Sequence, residues 1–444
     1  IAEGKRIAVQ SGKKVADYLG RMNPDHGAFL IYTSGTTGNP KGVLLSNRNF
    51  LTAADIVIRT WALPERTGST ASFLPLCHIA EKLQNLGAGI SQRYVVNYLS
   101  SIDKIAEEMP QVEPTLLLCV PRLWEKMIEG VNIKLKNAPP ARRKLAQWAF
   151  AVGGRVAEAK FAGKMPNPLD LIQYQIADRL VLGKIRKALG LGAKPLAASG
   201  AAPLHPHVAK WFRQLDIEIL ECYGLSESAA VICLTLPGVE CTGTVGKPVA
   251  GMEFKIAEDG EILARGDNIF LEYYRNDEET AKVLTKDGWL HTGDLGELDD
   301  RGMVRIRGRK REILKTSGGK MVAPLPIEEK LKEATMISQV CMVGDNRKYF
   351  SALITLSEST LKDVQSNGGL AKGEVVISDP GIMKDVQSAV DLLNRELASF
   401  EQIKRFTVLG REFSVVDGEM TPTLKMKRNV IEKRFQDLID RMYN

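Results

Sequence analysis

A run of hydroxyls and glycines with one lysine lies close to the start of the chain. It reads Tyr32-Thr33-Ser34-Gly35-Thr36-Thr37-Gly38-Asn39-Pro40-Lys41-Gly42-Val43 and directly follows an apolar run. Glycines let the backbone turn its N–H groups toward an anion, hydroxyls add donors, and the lysine adds a cation. The segment therefore predicts a phosphate-binding loop, in which the ligand is held by Thr33, Ser34, Gly35, Thr36, Thr37, Gly38 and Lys41.

The loop does not follow the Walker A pattern. That pattern requires G-x-x-x-x-G-K-[ST] leading into a helix, whereas Lys41 is followed by Gly42 and a second apolar stretch. A P-loop kinase is therefore disfavoured. The remaining alternative is a polar hairpin between two strands.

Two carboxylates follow turns or predicted strands and could act on such a ligand. Glu227 ends the run Tyr-Gly-Leu-Ser-Glu, at the carboxyl edge where α/β sheets bind ligands, so it could hold Mg²⁺ on phosphates. An acid at a helix N-terminus is the alternative. Asp294 ends the run Trp-Leu-His-Thr-Gly-Asp and could accept hydrogen bonds from both hydroxyls of a ribose. Its alternative is a surface turn.

The elements that must position these residues are mostly α/β. Short apolar runs at 70–75, 115–121, 195–199 and 217–223 alternate with helical patterns, which predicts buried strands of a parallel sheet. From 246 to 307, short alternating strands predict a small β subdomain. Beyond 309 the pattern predicts a compact α+β unit, with strands near 340–343 and 352–356 and helices near 385–399 and after 427.

One segment, between Pro121 and Leu196, is unusually helical and basic. The pattern predicts three helices, at 122–136, 141–162 and 169–189. Its basic residues include Arg142, Arg143, Lys144, Arg155, Lys160, Lys164, Lys184, Arg186 and Lys187. A solvated helical face is one interpretation, and a surface that docks on anionic lipid is the other.

Composition limits the classes of function. A chain of 444 residues with 44% apolar residues predicts at least two domains. The net charge of +7 is mild for a chain of this length, which disfavours a nucleic-acid-binding protein. The six cysteines have no metal-binding spacing, which predicts reduced core thiols in a cytoplasmic protein. The sequence contains no apolar stretch of about 20 residues, so no membrane-spanning helix is predicted.

Six motifs, in the same order, resemble those of the adenylate-forming (AMP-binding) superfamily. They are the phosphate loop and the segments 199–203, 223–227, 289–294, 317–320 and 421–428. The segments 313–328 and 343–348 are similar to the bubblegum-type branch of the long-chain fatty-acyl-CoA synthetases. The resemblance implies ATP-dependent activation of a long-chain fatty acid to acyl-AMP with release of pyrophosphate, followed by thioester formation with CoA.

The resemblance also implies roles for individual residues. Lys425 and His78 would be catalytic together with Glu227, and Thr33 with Glu227 would approach Mg²⁺. The commoner motif has Gly where this chain has Leu424, although long-chain members also place a bulky residue there, and Lys427 is the less favoured lysine. The remaining nucleotide and CoA contacts would come from Gly200, Ala201, Tyr223, Gly224, Ser226, Asp294, Arg309, Ser317, Gly318 and Gly319.

The resemblance implies the fold class as well. It is α/β, with a large N-terminal domain of several subdomains (residues 1–308) that contains parallel sheets, helices and a small β subdomain. A smaller, mobile α+β C-terminal domain (309–444) follows, with its hinge at Arg311. The phosphate loop comes earlier than in the family, which predicts that the first part of the large domain precedes Ile1.

The expected partners are fatty acid and CoA, with no nucleic acid. The location would be cytoplasmic with peripheral contact to an anionic membrane surface, and the oligomeric state is left open. Two alternatives remain for the activity. One is a fatty-acyl-AMP ligase that loads a carrier protein, and the other is a catalytically silent protein that binds nucleotide or acyl groups.

Overall fold

The computed structural model describes residues 5–6, 17, 19–33, 40–366, 368–369 and 375–444. The strands are β1 Gly27–Thr33, β2 Lys41–Ser46, β3 Ser69–Ser72, β4 Val95–Tyr98, β5 Leu116–Cys119, β6 Leu196–Gly200, β7 Ile219–Tyr223, β8 Cys233–Leu234, β9 Lys247–Pro248, β10 Glu253–Ile256, β11 Glu261–Arg265, β12 Glu272–Tyr273, β13 Leu290–Leu298, β14 Val304–Arg309, β15 Leu314–Lys315, β16 Met321–Val322, β17 Ile337–Val343, β18 Phe350–Leu356 and β19 Ile403–Leu409.

The helices follow the same order along the chain. They are α1 Asn47–Thr60, α2 Ile79–Lys82, α3 Ile105–Val112, α4 Pro121–Lys136, α5 Pro140–Phe161, α6 Pro168–Ala177, α7 Gly183–Ala188, α8 Pro206–Gln214, α9 Asp277–Val283, α10 Pro324–Leu331, α11 Glu358–Ser366, α12 Pro380–Asn394, α13 Arg428–Arg434 and α14 Gln436–Arg441. Six of them, α4, α5, α6, α8, α10 and α12, begin at a proline. Proline suits the first helical position because its fixed φ is helical and the N–H that it lacks would have no partner there.

A seven-stranded sheet forms the centre of the large domain, in the order β4-β3-β5-β6-β7-β8-β9. The first five strands are parallel and the last two are antiparallel. The four apolar runs expected to be buried strands form β3, β5, β6 and β7, so that prediction is confirmed. The carboxyl ends of these parallel strands meet at one edge, as ligand sites in such sheets require.

Two smaller sheets complete the large domain. Strands β1, β2 and β12 form an antiparallel sheet, and β10, β11, β13 and β14 form another. The second sheet is the β subdomain expected between 246 and 307. The pairing of β1 with β2 means that the predicted phosphate loop joins two antiparallel strands. Most of that loop, Ser34, Gly35, Thr36, Thr37 and Gly38, lies outside the described residues.

The C-terminal unit has its own sheet, β17-β18-β19, with helices α10 and α12 packed on one face. Strands β17 and β18 are buried at every position. A second apolar cluster on this unit surrounds Phe413 and Phe435. The fold is therefore a large α/β domain followed by a smaller α+β domain, as expected.

Charged residues join the two domains at helix α4. Arg122, which is only 8% exposed, pairs with Glu412 of the C-terminal domain. Lys332, which follows α10, lies 2.9 Å from Glu125, and Lys136 lies 2.5 Å from Asp363. Burial alone would raise the pKa of Glu125, but Lys332 and Arg122 lower it below its usual range. These pairs hold α4 against the C-terminal domain.

The structure also tests the predictions about core cysteines and membrane-spanning helices. All six cysteines are free, and Cys119, Cys233, Cys241 and Cys341 are buried. Cys77 is exposed, so the expectation of a core thiol is wrong there, because this residue lies on the turn before α2 rather than in a strand. Among the described residues, no helix is both long and apolar enough to cross a bilayer.

Candidate functional site

Asp294 is the centre of the site that the fold assembles. It lies in β13 directly opposite Arg309 of β14, and the strand pairing brings Arg309 Nε to 3.0 Å from Asp294 Oδ1. The hydroxyl of Tyr223, at the carboxyl end of β7, donates a hydrogen bond of 2.8 Å to Asp294 Oδ2. Asp294 is 4% exposed. Burial raises the pKa of its carboxyl, and Arg309 partly offsets this effect.

Lys425 reaches this cluster from the C-terminal domain. Burial and the nearby Arg309 lower the pKa of Lys425 to about 8, whereas Asp294 and Glu312 act in the opposite direction. The hairpin that carries Lys425 is closed by the Met420 and Met426 bridge, and Thr421 Oγ1 accepts a hydrogen bond of 3.0 Å from the Lys425 N–H. Two partly buried cations, Arg309 and Lys425, therefore act on the buried Asp294 carboxylate, an arrangement that favours an added anion.

His78 approaches the same lysine from the large domain. It precedes α2, and burial together with Lys425 lowers the pKa of its imidazole to about 4. The ring is therefore neutral at pH 7. Its Nδ1 is buried and has no hydrogen-bond partner among the described residues. The imidazole is thus available to contact a ligand.

Glu227 lies in a short 3₁₀ helix, Ser226–Ser228, just after β7. The hydroxyl of Tyr273 donates a hydrogen bond of 2.6 Å to Glu227 Oε1. The negative charge of Glu227 also favours the charged form of Lys425, so Glu227 lies near the Asp294 cluster. No side chain in the described part of the protein donates to its second carboxylate oxygen, which leaves that oxygen for a hard cation such as Mg²⁺.

Lys41 and Thr33 flank the phosphate loop and face each other across β1 and β2. Lys41 Nζ lies 5.0 Å from the centre of the Tyr273 ring and pairs with Glu279 of α9. Through Tyr273, this lysine is joined to Glu227. The structure therefore brings the end of the phosphate loop to the same region as Glu227.

Gly224 allows the backbone to turn directly after β7. A Cβ atom at this position would lie 2.3 Å from the backbone of Ala230, so only glycine fits between β7 and the following turn. Gly200 ends the neighbouring strand β6, and Ala201, which follows it, has a φ of 73°. Ser226 begins the helix of Glu227. The motif residues thus gather at the carboxyl edge of the central sheet.

Ser317, Gly318 and Gly319 are not brought to this cluster. They form an exposed turn between β15 and β16, and the Ser317 N–H donates a hydrogen bond of 2.8 Å to the carbonyl of Arg347. The Gly319 N–H donates a hydrogen bond of 2.9 Å to the carbonyl of Thr316, so these two hydrogen bonds of the turn lie within the C-terminal domain.

Three residues at the site were missed by the sequence reasoning. Tyr273 donates a hydrogen bond to Glu227, and Glu279 pairs with Lys41. The negative charge of Glu312 favours the charged form of Lys425. The signal for the first two was a tyrosine pair just before an acidic helix start at Asp277. Glu312 had no signal, because it lies among basic residues in a segment identified only as a hinge. No cluster of three or more potential metal-ligating His, Cys, Asp or Glu side chains occurs in the described residues.

Leu424 connects the two domains beside Lys425. Its side chain packs against both the large-domain cluster around Trp124 and the C-terminal cluster around Phe413. Its backbone has a φ of 59°, a left-handed conformation that is unusual for a bulky residue. Packing across the domain boundary therefore stabilises a backbone geometry that glycine would adopt more easily.

The chain is similar to known proteins along both of its domains. A family model described as AMP-binding enzyme matches residues 5–274, and one described as AMP-binding enzyme C-terminal domain matches residues 311–444. The chain is 33% identical to the long-chain-fatty-acid–CoA ligase ACSBG2 of Xenopus laevis, over 98% of this chain and 63% of that protein. It is 35% identical to the long-chain-fatty-acid–CoA ligase FadD15 of Mycobacterium tuberculosis, over 94% of this chain and 69% of that one.

Solved structures share the fold at lower identity. The adenylation domain of a carboxylate reductase from Mycobacterium chelonae matches with a TM-score of 0.69 at 21% identity, over 95% of this chain and 60% of that one. ATP-bound MatB from Rhodopseudomonas palustris matches with a TM-score of 0.66 at 21% identity, over 94% of this chain and 70% of that one. The present chain thus spans 63 to 69% of the two ligases and 60 to 70% of the two structures.

Replacing Leu424 tests whether its packing holds the lysine hairpin in place. Leu424→Asn keeps a residue that tolerates the left-handed backbone but removes the apolar contact. We expect faster hydrogen exchange of the 420–427 amides, measured by mass spectrometry. Leu392→Asn, at a 63% exposed position of α12, is the control and should leave these amides unchanged. Equal exchange in all three proteins would show that Leu424 does not anchor the hairpin.

Proposed function

Because the chain belongs to the AMP-binding enzyme family, we propose that it is a long-chain fatty acid–CoA ligase that forms AMP. The observation that carries the proposal is the convergence of Lys425, Arg309 and Asp294 at the sheet edge that also holds Glu227. The two partly buried cations there, Arg309 and Lys425, suit a nucleotide polyphosphate. The ligases of frog and mycobacterium, to which the chain is similar over most of its length, support fatty acid and CoA as the other substrates.

In the first half-reaction, a carboxylate oxygen of the fatty acid attacks the α-phosphorus of ATP. The bond between that phosphorus and the bridging oxygen breaks, and pyrophosphate leaves. The main barrier is the approach of two anions, so catalysis consists largely of positioning and charge stabilisation. The Lys425 ammonium would neutralise the developing charge, and the neutral imidazole of His78 would position the acyl carboxylate.

The remaining groups would hold the nucleotide. Asp294 would accept hydrogen bonds from the ribose hydroxyls, with Arg309 as the second contact, while Gly200 and Ala201 would face adenine. The phosphates would lie on the phosphate loop. Glu227 and Thr33 supply the oxygen ligands that Mg²⁺ prefers and would hold that ion, which reduces the negative charge of the phosphates.

In the second half-reaction, the CoA thiol would lose its proton to solvent, and its sulfur would attack the acyl carbon of acyl-AMP. The bond between that carbon and the phosphate oxygen would break, and AMP would leave with its electrons. The turn of Ser317, Gly318 and Gly319 would line the path of the CoA arm. The exposure of this turn supports a rotation of the C-terminal domain about Arg311 between the two steps. The ion pairs of Arg122 and Lys332 with the other domain would then have to open.

We also infer a cytoplasmic location with peripheral contact to an anionic membrane surface, because a long-chain fatty acid partitions into membranes.

A direct assay tests the ligase proposal. Pyrophosphate release with ATP and fatty acid, followed by AMP release that requires free CoA, would support it. Transfer only to an acyl carrier protein would favour a fatty-acyl-AMP ligase, and ligand-induced stabilisation without pyrophosphate would favour a silent binding protein.

Removing the Lys425 ammonium should separate the half-reactions. A unit charge at about 4 Å from the reacting oxygens contributes about 4 kcal/mol at an effective dielectric constant of about 20. We therefore expect Lys425→Ala to slow adenylation about a hundredfold to a thousandfold, measured by pyrophosphate release. Thioester formation from supplied acyl-AMP should be spared. Lys427→Ala is the matched control, and equal loss in both half-reactions would refute the role of Lys425.

The pKa of Lys425 predicts a pH profile. Because burial and Arg309 lower this pKa to about 8, the ammonium needed for adenylation is lost as the pH rises through that value. We expect kcat/KM for ATP, which reports the free enzyme, to fall above about pH 8. In Lys425→Arg the fall should move to higher pH, since a guanidinium stays charged. A profile that is identical in both proteins would assign the titration to another group.

A further inference from the structure

The outward face of helix α6 is apolar. Leu169, Ile172 and Ile176 are 66%, 58% and 48% exposed, and Leu180, in the π-helical turn Asp178–Leu182 that follows, is 45% exposed. Met165, in the loop before the helix, is 93% exposed. The spacings of three and four residues put Leu169, Ile172 and Ile176 on one side of the helix. These three side chains, with Met165 before the helix and Leu180 after it, are called here the apolar stripe.

The opposite face of the same helix already belongs to the core. Ala177 and Leu182 are fully buried, and Tyr174 and Ile185 pack against the cluster around Trp124. The helix therefore cannot turn to bury the apolar stripe without exposing its core face. A surface helix normally presents polar residues to water. An outward face of this kind instead marks a contact with an apolar phase or partner.

The surroundings of the apolar stripe are strongly basic. Residues 140–188 contain ten lysines and arginines but three acidic residues, so this segment has a net charge of +7. The whole chain also has a net charge of +7, so the rest of the protein is neutral. The positive charge of the chain is thus concentrated in the helices that carry the apolar stripe.

Many of these cations are not neutralised by neighbours. Asp170 lies 2.8 Å from Arg155, and Asp178 lies 2.6 Å from Arg186. Those pairs use two of the three acidic residues. Six exposed basic residues have no ion-pair partner among the described residues: Arg142, Lys144, Lys164, Arg179, Lys184 and Lys187. Lys164 and Arg179 directly precede Met165 and Leu180 of the apolar stripe.

We propose that the apolar stripe docks on the surface of a membrane that contains anionic lipids. Its side chains enter the boundary between headgroups and acyl chains, while the flanking lysines and arginines contact lipid phosphates. The proposal rests on the proposed function in one respect, since the fatty acid substrate resides in membranes. A second copy of this chain fits the face less well, because it would oppose two segments of the same +7 charge.

Vesicle binding tests the proposal without ATP or CoA. We expect the protein to cosediment with phosphatidylcholine vesicles that contain roughly a third phosphatidylglycerol, but not with pure phosphatidylcholine. The double variant Ile172→Asp, Ile176→Asp should bind about tenfold more weakly or worse, since it places charge in the apolar stripe. Leu392→Asp is the control, at a 63% exposed position of α12. Wild-type binding by the double variant would overturn the proposal.

The basic residues need a test of their own. The variant Lys164→Glu, Arg179→Glu should lose binding to the anionic vesicles, whereas Lys384→Glu, on the exposed face of α12, should keep it. Binding should also weaken with added salt. Binding of wild type to neutral and anionic vesicles alike would overturn the electrostatic part of the proposal. A dimer in solution that Ile172→Asp converts to a monomer would assign the face to a protein interface instead.

Ligase activity separates this proposal from the proposed function. With fatty acid supplied as soluble monomer and no vesicles, Ile172→Asp should retain the activity of the wild type. Vesicle binding without any ligase activity would leave the docking surface intact and reject the enzyme. Ligase activity in the absence of any vesicle binding would reject the docking surface alone.

Discussion

The buried carboxylate of Asp294 interacts with two cations that come from different parts of the chain. Arg309 is fixed by strand pairing within the β subdomain, whereas Lys425 arrives on a hairpin of the other domain. Burial and the nearby charge of Arg309 outweigh the attraction of Asp294, Glu312 and Glu227, so the charged form of the lysine is partly destabilised. An incoming polyphosphate would relieve this deficit, so ligand binding and the approach of the two domains are energetically linked.

Sequence reasoning was most successful where local chemistry sets the structure. The parallel strands β5, β6 and β7 were evident from short apolar runs, and the glycine at 224 was evident from its motif. The helices between residues 121 and 189 were also predicted from their sequence pattern, and in the structure the first three begin at Pro121, Pro140 and Pro168. In each case the determining interactions lie within a few residues of one another.

The features that sequence reasoning did not predict depend on contacts between distant segments. Tyr273 reaches Glu227 because β12 pairs with β2, a neighbour more than 200 residues away in sequence. Leu424 appeared as a departure from a motif, and its packing on both domains emerges only when these are assembled. The apolar stripe on α6 was likewise not recognisable from composition alone, since periodicity does not reveal which face of a helix the core occupies.

The ion pairs at helix α4 limit how far the two domains can be exchanged with those of other proteins. Arg122 and Glu125 meet Glu412 and Lys332 where little water is present to screen a mismatch. A C-terminal domain grafted from a relative that lacks either partner would leave a buried charge uncompensated, at a cost of about 3–5 kcal/mol. Hybrid enzymes with this scaffold should therefore keep both partners of each of these ion pairs.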